Sequence, residues 1–144
     1  MKLTREQAIA EHRKMWLWIS RQIMKDYVAN EKVGKIYYYK CDYLNYNFPD
    51  ETVKSKCFCC EYTKSLDKSN SLYKSNCEEI CPLYWNDRST IPICCESLGY
   101  YDVINKIVCS YSTRQDAYYK IPKEEAKRMS RMAYKIAMLP VKEK

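Results

Sequence analysis

Apolar positions recur at helical spacing near the start of the chain. Ala8, His12, Met15, Trp16, Ile19, Ile23 and Tyr27 form one stripe, and Arg5, Arg13, Lys14, Arg21 and Lys25 lie mostly off it. Thr4-Arg5-Glu6-Gln7 is a capping-box pattern, with Thr4 as N-cap and Gln7 reaching back to it. The pattern predicts a long helix that fades near Asn30, before Gly34. Trp18 falls off the stripe, which marks it for contact with a second element or a partner.

The pattern changes after residue 30. Ile36–Phe48, IYYYKCDYLNYNF, is dense in tyrosine and predicts a strand or hairpin arm. Phe48-Pro49-Asp50 turns the chain, and Lys64–Ser71, KSLDKSNS, reads as loop. Gly99 precedes a short helix or strand. Pro122 with Glu124 and Glu125 opens a second amphipathic helix. Its stripe is Ala126, Met129, Met132, Ala133, Ile136 and Ala137, and Leu139-Pro140 closes it. The stripe is expected to pack on the first helix, and the tail Lys142–Lys144 to fray. The expected fold is α+β. An N-terminal helix over 1–30 and a C-terminal helix within 114–144 pack beside a Tyr/Cys-rich zinc module over 31–113, which holds a short β hairpin or sheet. With 144 residues, one domain over 1–144 is expected.

Composition narrows the function classes. Two glycines and no GxGxxG or Walker run argue against a phosphate-cradling loop. The first residues, MKLTREQ, lack an apolar signal region, and Met15–Ile19 is too short to span a bilayer. These features predict a cytoplasmic protein with no membrane partner. In that reducing compartment nine cysteines point to metal rather than to a disulfide framework. The formal charge of +7 fits an acidic partner or nucleic acid.

The cysteines fall in pairs. Cys57-Phe58-Cys59-Cys60 contains a C-x-x-C knuckle, and Cys77-Glu78-Glu79-Ile80-Cys81 follows about twenty residues later. Two close thiol pairs joined by a loop are what a tetrahedral four-sulfur site requires. The preferred ligands are therefore Cys57, Cys60, Cys77 and Cys81. Cys59 competes with its neighbours, and Cys94 and Cys95 are further alternatives. Zinc is the metal favoured, in a closed structural site whose binding free energy is folding free energy. An iron–sulfur cluster lacks its usual spacings here. Cys41 and Cys109 have no pair and read as core thiols.

Catalysis is not expected. The one histidine, His12, sits on the apolar stripe without an HxxxH or HxE partner, so it reads as a core residue. Asp50-Glu51 and Glu78-Glu79 read as solvated turns. Cys57 and Cys60 match a dithiol motif for a thiol-disulfide oxidoreductase, but no βαβ pattern surrounds them. Trp18, Tyr37, Tyr38 and Tyr39 are natural anchors for a protein partner. The basic helix faces, with aromatics between them, allow nucleic-acid binding as the alternative.

Five blocks occur in order: AIAEHRKMWLWI, CFCCEY, CPLYW, GYYD after a cysteine, and AKRMSRMAYKIAMLP. As a set they resemble a family of small cysteine-rich proteins encoded by bacteriophages and prophages of Gram-positive gut bacteria. The resemblance covers both ends and the cysteine-rich middle. It implies metal-binding pairs at Cys57 with Cys60 and at Cys77 with Cys81. This chain places three residues inside the second pair where the family pattern has two, and it lacks a Trp shortly after GYYD. The resemblance also implies a phage accessory role, such as inhibition of a host or defence protein, CRISPR effectors among them.

Overall fold

The computed structural model describes residues 2–50, 58–59, 62, 81–83 and 118–143. Within them the fold is α+β: three helices and a two-stranded antiparallel sheet. Helix α1 spans Arg5–Asn30, strand β1 Lys32–Gly34, helix α2 Ile36–Asn47, strand β2 Tyr118–Lys120 and helix α3 Lys123–Ala137. No helix among the described residues is long and apolar enough to cross a membrane.

Helix α1 begins as its sequence dictates. Thr4 accepts from the Gln7 amide at 3.1 Å, and the Gln7 side chain accepts from the Thr4 amide at 2.9 Å. Both orphan donors are thereby satisfied. The helix ends at Glu31, whose φ of 56° is the left-handed cap conformation. That cap turns the chain directly into β1.

Helix α3 lies antiparallel to α1: Ser20 meets Ser130, and His12 meets Ile136. Ala126, Ala133 and Ala137 keep the contact close, while Met15, Ile19, Ile23, Met129 and Ile136 fill it. Each of these larger side chains contributes about 1.5–3 kcal/mol through burial. The seam also holds matched polar groups. Ser20 Oγ donates to the Ser130 carbonyl at 2.8 Å, and Ser130 Oγ donates to the Ser20 carbonyl at 2.9 Å. His12 is fully buried, and its Nε2–H donates to the Ile136 carbonyl at 2.8 Å. The histidine is a core residue, as its place on the stripe predicts.

The largest departure from the sequence reading is at Ile36–Phe48, which is helix and not strand. Its buried residues are Ile36, Tyr39, Lys40, Tyr43 and Leu44, a helical spacing. Strand-favouring tyrosines yield here to packing against α1. The sheet arises instead from Lys32–Gly34 paired with Tyr118–Lys120, with Val33 opposite Tyr119. These strands are distant in sequence, so the sheet ties the end of α1 to the start of α3. Gly34 is buried at the crossing, where an added Cβ would come within 3.1 Å of the Tyr118 ring.

The tail departs from expectation too. The Lys142 amide donates to the Pro82 carbonyl at 2.7 Å, and its carbonyl accepts from Arg5. Leu83 forms an antiparallel bridge with Val141. Val141 and Lys142 are thus a strap across the Cys81 segment rather than frayed, and Lys144 lies outside the described residues. Lys64–Ser71 and the stretch after Gly99 lie outside the described residues.

Candidate functional site

Helix α2 positions an aromatic surface. Its inner face is fixed by three polar contacts to α1. The Tyr39 hydroxyl accepts from the Gly34 amide at 2.8 Å and donates to Asp26 at 2.9 Å. Gln22 holds the other Asp26 oxygen at 3.0 Å. The Tyr43 hydroxyl donates to Glu11 at 3.2 Å. Lys40 is buried with its ammonium 5.1 Å from the centre of the Trp16 ring, a cation–π contact. Burial first, then the negative Asp26, pushes the Tyr39 hydroxyl well above the ordinary tyrosine range, against the Gly34 bond. Burial and Glu11 do the same at Tyr43. Both hydroxyls are neutral donors over the physiological range.

The outer face of α2 carries Tyr37, Tyr38, Cys41, Asp42, Asn45 and Tyr46. Tyr37 is 51% exposed, Tyr38 41% and Tyr46 88%. The Tyr37 and Tyr38 rings meet edge to face at 5.5 Å. Tyr118 of β2 is also exposed, with its ring over Gly34. Burial, Asp26 and Asp42 together raise the Tyr118 hydroxyl. Tyr37 and Tyr38 are thus open to solvent.

Tyr39 is not among the anchors. It is 1% exposed, because its hydroxyl is committed to Gly34 and Asp26 beneath the helix. Trp18 is half-buried against Tyr39 and Tyr43, at ring separations of 6.5 and 5.7 Å. The second element it meets is α2. Sequence reasoning missed Tyr46 and Tyr118, both of which are exposed.

Cys41 is half-buried on this outer face rather than in the core. Burial and Asp42 raise its thiol, outweighing the opposite effect of Lys40. A thiol held protonated in this way is a weak nucleophile.

Of the cysteines expected to bind metal, Cys81 and the alternative Cys59 fall within the described residues. Cys57, Cys60, Cys77, Cys94 and Cys95 lie outside them, as does Cys109. Cys59 is fully buried, with its sulfur 4.0 Å from the Ala8 carbonyl oxygen. Its neighbour Phe58 packs on Tyr43 and Phe48, at 6.2 and 5.4 Å. Cys81 is 3% exposed and leads into Pro82, which the tail strap joins to Arg5. Both cysteine segments are therefore secured to the first turns of α1. Among the described residues, no three His, Cys, Asp or Glu side chains gather to hold a metal ion.

No family model, curated protein or solved structure matches this chain.

Proposed function

We propose that this chain is a non-catalytic phage accessory protein that binds and inhibits a host or anti-phage defence protein, for example a CRISPR effector, in the bacterial cytoplasm. The observation that carries the reading is the aromatic outer face of α2. Tyr37, Tyr38 and Tyr46 on α2, and Tyr118 on β2, place four tyrosines at the solvent surface. Tyrosine is enriched among residues that dominate binding energy at protein interfaces. The helix beneath is held by Tyr39 and Tyr43, so the surface is rigid before a partner arrives. The phage setting rests on the resemblance of the five sequence blocks.

A structural zinc site at Cys57, Cys60, Cys77 and Cys81 completes the reading. Two arrangements support it. The two cysteine segments are anchored to the same end of α1, by Ala8 and by the Arg5–Lys142–Pro82 chain. Cys59, the thiol that competes with its neighbours, turns its sulfur toward the Ala8 carbonyl of α1. Four thiolates on one zinc leave no open position for water, so the metal would stabilise the fold and supply no catalysis.

Affinity capture from a lysate of the native host tests the binding reading. The wild-type chain retains a defence or host protein whose activity falls when the purified chain is added. Tyr37→Ala with Tyr38→Ala weakens that complex by about 30-fold, corresponding to about 2 kcal/mol. Equal retention by the double variant would remove the aromatic face from the account. Metal analysis of the purified protein tests the clasp: one zinc per chain is expected, with chelation lowering the melting temperature.

A further inference from the structure

Helices α1 and α3 share a second surface, along the Ser20–Ser130 edge of the pair. The antiparallel register fixes its composition. Ser20 and Ser130 form a partly exposed seam at one edge of the helix pair. Beyond that seam a 3.6-residue turn brings out Arg21 on α1 and Lys127 and Arg131 on α3, with Lys14 and Lys25 further round α1. Acidic groups are sparse there. Lys14 is 3.4 Å from Glu11, and Lys127 is 3.7 Å from Glu124. Arg21, Lys25 and Arg131 stand in no ion pair with any described residue. Tyr134 lies among the α3 cations and is exposed.

We infer that this two-helix face binds the phosphodiester backbone of nucleic acid. Arg21 with Lys25 on α1, and Lys127 with Arg131 on α3, are i,i+4 pairs spaced about 6 Å along their helices. A repeating line of charge suits a repeating polyanion, and guanidinium groups such as Arg21 and Arg131 pair with phosphate in a bidentate fork. A membrane surface fits less well. A helix lying in a bilayer interface needs a contiguous apolar face, and in both helices that face is already spent on the core. The inference is independent of the protein-binding reading of α2, which uses different residues.

Fluorescence anisotropy of the full-length protein with DNA and RNA duplexes of about 20 base pairs tests it, over roughly 50–200 mM salt. Binding to either duplex is expected, and the tighter one identifies the source. The logarithm of the affinity should fall linearly with the logarithm of salt. Arg21→Gln with Arg131→Gln should cost about tenfold at low salt and flatten the slope by about 2. Both side chains are exposed, so an unchanged melting curve separates lost binding from lost folding. Three results would overturn the inference: no binding to either duplex at low salt, wild-type affinity and slope in the double variant, or equal binding to polyglutamate. The last would mark the face as a site for an acidic protein.

Discussion

α3 meets α1 through alanines and a reciprocal pair of serines, whereas α2 meets it through tyrosines and a buried lysine. Small residues bring α3 close and leave its long cations outside. Large amphipathic residues hold α2 by their hydroxyls and place further tyrosines outside. One helix thus supports a basic surface on one flank and an aromatic surface on the other. The difference teaches that the inner packing of each helix governs what its outer face has room to carry.

Trp16 belongs to both sides, because it fills the core and lies under Lys40. Trp16→Ala should destabilise the fold by about 3–5 kcal/mol, read as a shift of the urea midpoint. A loss below about 1 kcal/mol would mean that the two flanks do not share this residue.

Tyr39→Phe acts on the α2 flank alone. It deprives the Gly34 amide and Asp26 of their shared hydroxyl, and should cost about 1–3 kcal/mol. The same hydroxyl sets a pH dependence. Its folded pKa is raised, so the neutral form is favoured in the fold. That stability is fully present below the unfolded tyrosine pKa of about 10 and is lost as pH rises above it. Tyr43 adds to the loss in the same direction. Melting curves across this window should show a shallower alkaline decline in Tyr39→Phe than in wild type. An identical decline in both would contradict the role assigned to burial at Tyr39.

Smaller effects are expected on the α3 flank. Ser20→Ala and Ser130→Ala should each cost about 1 kcal/mol. The double variant should cost less than the sum by at least about 0.5 kcal/mol, because the two hydroxyls also meet each other at 3.0 Å. Strict additivity in denaturant titrations would show that the two bonds act independently.

Where local rules decided the structure, the sequence was readable. The Thr4 cap with Gln7, the stripes of α1 and α3, and buried His12 all follow from spacing and cap chemistry. Helix α2 was misread because tyrosine identity was weighed above period: Ile36, Tyr39, Lys40, Tyr43 and Leu44 are spaced as a helix. The same error offered Tyr39 as a surface anchor. The Arg5–Lys142–Pro82 strap joins groups from both ends and the middle of the chain, and no local pattern encodes such a meeting. Of the candidate site, Tyr37 and Tyr38 were legible as residues but not as one face, since that face exists only once α2 is helical. Tyr118 reaches Gly34, just before α2, only through the long-range pairing of β1 with β2.

The central claim is that the aromatic flank, and not the basic one, recognises a protein. The most direct test is nuclease-treated capture of the same host protein by two variants in parallel. Tyr37→Ala with Tyr38→Ala should lose the partner by about 30-fold, while Arg21→Gln with Arg131→Gln should hold it within about twofold of wild type. Loss of the partner in the arginine variant, with retention in the tyrosine variant, would contradict the account.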